Sequence, residues 1–115
     1  MATLSRFTLA RAGVAITYAS AAGGGDVVDN SDGKTLLHVK NGGGGSINVT
    51  VTAQTTSISV PQGVAEMSDK VIAVAAGAEK IIGPFEAAWF NNASGQLAIT
   101  YSGVTTVTIA TYKMP

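Results

Sequence analysis

His38 is the one histidine of this chain, and it decides what proton-transfer chemistry the sequence could hold. A nucleophile–histidine–acid triad needs a hydroxyl or thiol and a carboxylate poised on the ring. A zinc site needs further nitrogen or sulfur ligands, and the chain has no cysteine. His38 alternates with Leu37 and Val39 in an extended run, so it reads as a structural histidine. Asp26, Asp29 and Asp32 fall three apart before Gly33. Calcium loops place acids at alternate positions and close on a glutamate; that spacing is missing, and turn geometry explains the aspartates better. Glu66, Asp69, Glu79 and Glu86 form no local pair of the kind glycoside hydrolysis requires.

The glycines carry no phosphate signature either. The four at 42–45 lack a following Lys-Ser/Thr and a helix to bring its dipole to an anion. Gly33-Lys34-Thr35 lacks the upstream glycine spacing and opens a strand. Asn48-Val49-Thr50 and Asn92-Ala93-Ser94 match a glycosylation sequon, which counts only in a secreted chain. Arg6, Arg11 and residues 12–19 faintly mimic a signal peptide, but Thr17 and Tyr18 dilute the apolar stretch.

The elements that must position these residues are strands. Of 115 residues, 33 are Val, Ile or Thr and only 14 are charged. β-branched side chains pack well on a pleated sheet, whereas an average domain is roughly one quarter charged. Ser, Thr, Asn and Gly therefore coat much of the surface, or much of the surface is covered by something else. The formal charge is zero, with basic residues scattered from Arg6 to Lys113, which argues against nucleic acid as a partner. No apolar run approaches the roughly 20 residues of a membrane span. The absence of cysteine fits synthesis in a reducing cytoplasm.

The alternation predicts a single all-β domain over residues 1–115. The architecture expected is an antiparallel β-sandwich, jelly-roll-like or barrel-like, of about eight short strands with no long helix. Strands are expected at 4–10, 14–19, 35–41, 46–54 continuing through 55–60, 71–75, 80–82, 88–90, 97–102 and 106–112. Residues 21–33 read as a glycine-rich loop and 64–69 as a loop or one helical turn. Strands 35–41 and 46–54 should form a hairpin across the glycines, and 97–102 should neighbour 106–112. In 46–54, Ile47, Val49 and Val51 face inward; in 97–102, Leu97, Ile99 and Tyr101 do. On an expected strand, Trp89 and Phe90 point to opposite faces, one to the core and the other to the surface or an interface.

Several blocks resemble a known family. They are Gly33-Lys34-Thr35-Leu36-Leu37-His38-Val39-Lys40-Asn41-Gly42, Ala76-Gly77-Ala78-Glu79-Lys80-Ile81-Ile82-Gly83-Pro84-Phe85, Trp89-Phe90-Asn91, and Leu97-Ala98-Ile99-Thr100-Tyr101-Ser102-Gly103-Val104-Thr105-Thr106-Val107. In this order they are similar to small head decoration, or cement, proteins of tailed bacteriophages, over about residues 33–112. The resemblance implies a non-enzymatic virion protein without a cofactor on the outer capsid surface. Its partners would be the major capsid protein and copies of itself, as a homotrimer. Arg6, Phe7 and Arg11 are candidate anchors if residues 1–11 reach a neighbouring subunit; the alternative is an intramolecular edge strand. Trp89 and Phe90 complete the candidate interface. A phage neck or tail component is a second expectation. A carbohydrate-binding sandwich using Trp89 with Asn91 and Asn92 is a third.

Overall fold

The computed structural model describes residues 2–54, 57–66 and 68–114. These form twelve strands and one helical turn: β1 Ala2–Leu4, β2 Arg6–Thr8, β3 Ala19–Ser20, β4 Asp26–Asp29, β5 Thr35–Asn41, β6 Ile47–Val51, β7 Ser57–Val60, β8 Gly63–Glu66, β9 Lys70–Val74, β10 Glu79–Ile82, α1 Ala87–Phe90, β11 Gln96–Tyr101 and β12 Val107–Lys113. Sheet I runs β1-β4-β11-β6-β9. Sheet II runs β10-β5-β12-β2, with β3 also on β12, and β7 and β8 form a separate hairpin.

The two sheets share one core. Val28, Val49, Val51, Val74, Leu97 and Ile99 come from sheet I, and Leu37, Val39, Ile82, Val107 and Ile109 from sheet II, all in one buried cluster. Alternation along each strand produces this. Leu97 and Ile99 are buried on either side of half-buried Ala98, and Val49 and Val51 are buried on either side of half-buried Thr50. Ile47 and Tyr101 are only partly buried against the cluster. The fold is thus an all-β sandwich, and two of its pairings are parallel: β1 with β4 and β2 with β12.

Several local expectations are corrected. Residues 4–10 are not one strand: β1 and β2 belong to different sheets, broken at Ser5. Of 14–19 only the end is extended, as β3. The expected loop 21–33 contains β4, whose Asp26, Val27 and Val28 are buried. β5 and β6 do not form a hairpin; the glycines carry the chain from sheet II to sheet I. β11 and β12 are likewise in opposite sheets. Residues 63–66 form β8, with Met67 outside the described residues; of the strand expected at 55–60, residues 55 and 56 also lie outside them. Residues 87–90 form a helical turn.

The sandwich is stitched along both sides. On one, the chain passes from β1 at the edge of sheet I to β2 at the edge of sheet II. On the other, it passes from β9 to β10, the opposite edges of the same two sheets. Two glycines are fixed by geometry. Gly25 has φ +94, and a Cβ there would lie 2.7 Å from the Ile99 carbonyl oxygen. Gly83 has φ +118, with the Thr35 carbonyl oxygen 2.9 Å away. Both are left-handed conformations where a side chain is costly.

Candidate functional site

Residues two apart on a strand share a face, so Leu36, His38 and Lys40 of β5 all point away from the core. Strand register sets Tyr112 opposite Leu36, Ile81 opposite His38 and Glu79 opposite Lys40, and Phe7 opposite Tyr112. A line of rings results across the outer face of sheet II. Phe7 and Tyr112 have centroids 5.4 Å apart, and Tyr112 and His38 6.1 Å apart. Tyr18, from the exposed segment before β3, meets His38 edge-on at 5.6 Å, with Lys40 Nζ 5.6 Å from its ring centre.

Both nitrogens of His38 are engaged. Nδ1 lies 2.6 Å from the Tyr112 hydroxyl and Nε2 lies 2.8 Å from Glu79 Oε2. A carboxylate only accepts, so the neutral ring carries its proton on Nε2, and Nδ1 accepts from Tyr112. Burial, then the nearby Tyr18 and Glu79 charges, push the Tyr112 phenol above its ordinary value. The hydroxyl–imidazole–carboxylate order is that of a triad, but this hydroxyl belongs to a phenol only 5% exposed. The line braces β5, β10 and β12 together.

Arg6, expected as an arm anchor, lies within its own chain. Its guanidinium donates to Asp32 Oδ1 at 2.7 Å, Asp29 Oδ2 at 2.9 Å and Thr35 Oγ1 at 2.9 Å. Lys113 Nζ adds a longer contact of 3.6 Å to Asp32. The Arg6 hydrogen bond holds Asp32 down to about 2. Asp29 is lowered first by the Ser31 backbone N–H and then by Arg6, and the bond to Asp32 raises Arg6 in turn. In this chain, then, residues 2–8 are an intramolecular edge held by charge and by the Thr111 hydroxyl, which donates to the Ser5 carbonyl at 2.8 Å. Arg11 is exposed in the turn that follows.

Trp89 and Phe90 sit on α1, where adjacent side chains point about 100° apart rather than to opposite faces of a pleat. Phe90 is 6% exposed and packs edge-on to Phe85 at 5.2 Å. Trp89 is half-buried against the core. The neighbouring amides are engaged inside the fold. Asn30 Nδ2 donates to Asn91 Oδ1 at 2.7 Å, and Asn91 Nδ2 donates to the Asn30 carbonyl at 2.8 Å. Asn92 Oδ1 accepts from the Ser94 and Gln96 backbones. Trp89 and Phe90 on α1 and Arg6 on β2 therefore lie apart from the ring line, and of the five sequence candidates only Phe7 joins it.

Three polar residues that organise the structure had no distinctive sequence signal. Asn30 links its loop to the Phe85 carbonyl and to Asn91. Asn41, 1% exposed, donates to the Gly45, Val74 and Ala75 carbonyls and accepts from the Gly43 N–H. Asp26, fully buried, accepts from the Tyr101 hydroxyl at 2.7 Å, while its Oδ1 has no partner among the described residues. Burial first, and Asp26 second, push the Tyr101 phenol far above its ordinary value. A crevice of about 400 Å3 beside β2, walled by Leu4, Phe7, Ile109 and hydroxyls such as Thr3 and Thr111, contains no titratable group. Among the described residues no three His, Asp or Glu side chains converge as metal ligands, and no helix is long and apolar enough to cross a membrane.

No protein-family model matches this chain, and neither a curated protein nor a solved structure matches it.

Proposed function

We propose that this chain is a non-enzymatic structural protein of a tailed-phage virion, a decoration or cement protein that binds the outer capsid surface and stabilises the shell. Its partners are the major capsid protein and copies of itself as a homotrimer. The observation that supports this reading is where the charge goes. The chain has few charged residues; Arg6 uses its charge on Asp29 and Asp32, and Glu79 accepts from the His38 ring. What remains outside is largely hydroxyl, amide and small apolar surface, suited to broad contact with protein. A sandwich stitched along both sides is also a stiff body to set between shell subunits. The sugar-binding alternative gains no support, because Asn91 and Asn92 are engaged within the fold.

Co-sedimentation with undecorated phage heads, expanded and unexpanded, tests the proposal. Saturable binding to expanded heads with improved survival of heating is the expected result. Absence of binding to either form overturns it and brings the neck or tail alternative forward.

A further inference from the structure

The outer face of sheet I differs from that of sheet II in kind. Its rows are read directly from strand register: Thr3–Val27–Ala98, Thr100–Thr50–Val71 and Asn48–Ala73. Val27 is buried and Ala98 and Thr50 are half-buried, so the accessible part of the face lies on Thr3 and on the β11, β6 and β9 side. The one charged side chain its strands contribute to this face is Asp29, at a margin, with Oδ2 2.9 Å from Arg6. Sheet II carries Lys40 and Glu79 on its outer face and has Tyr18 lying across it. The neutrality of sheet I therefore reflects where the few charges are placed as well as their small number. Thr100, Asn48, Ala73 and Val71 are exposed, Val71 by 54%. Short and β-branched side chains have little rotamer freedom to lose on docking.

We infer that the outer face of sheet I is the surface this protein lays against its partner, and that the partner is a repeating array of flat, uncharged protein surface. The inference rests on the capsid proposal and adds the face and the chemistry it meets. A partner charge set against this face would be desolvated without a counter-charge, so the complementary patch is neutral. Size decides between a single partner and an array. Five strands span roughly 24 Å, and about four residues along each span roughly 14 Å, giving a face on the order of 350 Å2. A stable pairwise interface takes about 800 Å2 per partner. One such face, including one pressed against a second copy of this chain, falls short; three faces linked in the proposed homotrimer and set on one lattice do not need to reach it singly.

The test uses the full chain and isolated undecorated heads. Thr100→Lys and Ala73→Lys each place a charge on the sheet I face at an exposed position. Each should lower shell affinity by about tenfold or more while thermal midpoint and circular dichroism stay those of the parent. Thr100→Ser should bind like the parent, and so should Lys40→Gln on the sheet II face. Parent binding should change little between about 0.05 and 0.5 M salt. Parent-like binding by both lysine variants, or loss of binding in Lys40→Gln, overturns the inference while leaving the capsid proposal standing. A parent that fails to bind any head overturns the capsid proposal and this inference with it. Self-association of the parent in solution that either lysine variant abolishes would make a second copy the occupant and overturn the array.

Discussion

The phenolic oxygen of Tyr112 lies 2.6 Å from Nδ1 of His38, and both residues are buried on a sheet face that points away from the core. Each nitrogen of the imidazole thus has one designated partner, the other being Glu79. A buried acceptor stripped of its donor costs the desolvation of that group. Tyr112→Phe should lower stability by about 1–3 kcal/mol, read from the urea midpoint. In the parent protein, long-range nitrogen–proton NMR correlations of the neutral ring should place its proton on Nε2. A proton on Nδ1 would refute the direction of this hydrogen bond.

The Arg6 cluster makes a second, pH-dependent prediction. Asp32 has a folded-state value of about 2 against an ordinary 3.8, and Asp29 is lowered as well. A depressed carboxylate stabilises the native state above its unfolded value, and that contribution is lost as pH falls through the folded one. Stability should therefore decline between about 4 and 2, measured by denaturant titration at successive pH values. Arg6→Gln should be less stable at neutral pH and lose part of that decline. Unchanged steepness in the variant would mean that other carboxylates set the acid limit.

At the alkaline end half-buried Tyr101, bonded to buried Asp26, acts with the opposite sign. The folded-state phenol lies well above its ordinary 10.0, through burial first and the Asp26 contact second. Above pH 10 the unfolded chain releases a proton that the native chain keeps, so stability falls as pH rises. Absorbance titration should show the Tyr101 phenolate appearing together with unfolding. Tyr101→Phe should flatten this alkaline loss, and at neutral pH it should cost about 1–3 kcal/mol for the lost hydrogen bond.

Glycine substitutions separate geometry from mere looseness. Gly25→Ala combines a left-handed φ with a Cβ 2.7 Å from a backbone oxygen, and the fold should lose about 2 kcal/mol or more. Gly44 has no atom within 4 Å of an added Cβ, and its φ is not positive. Gly44→Ala should be neutral or stabilise by up to about 1 kcal/mol by restricting the unfolded chain. Thermal midpoints of the two variants would check the contrast.

What the sequence could show was local. The alternation around Val49 and Val51 and around Leu97 and Ile99 was legible because one face of each strand meets the core. Partnership between strands was not. A glycine run can close a hairpin or carry the chain between sheets, and the residues at 42–45 are compatible with both. β4 was hidden because its two valines are flanked by Asp26 and Asp29, residues that usually mark turns. One is sequestered by Tyr101 and the other neutralised by Arg6.

The functional candidates divide along the same line. His38 was recognisable as a strand residue from its neighbours, but Glu79 and Tyr112 lie 41 and 74 positions away. Arg6 stood out as an anchor, yet its partners are 23 and 26 positions along the same chain, a separation that leaves no periodic trace. Trp89 and Phe90 were placed on a pleat because the flanking residues gave no helical period; four residues are one turn, too few to show one.

The parallel pairing of β2 with β12 governs how the molecule bears load. The N-terminal end of β2 and the C-terminal end of β12 point in opposite directions along the same seam. Tension applied through those two ends slides the strands lengthwise past each other, so their shared hydrogen bonds are strained together. An antiparallel seam pulled the same way would peel open one bond at a time. The arrangement makes this edge a mechanical clamp against tension applied through those two ends.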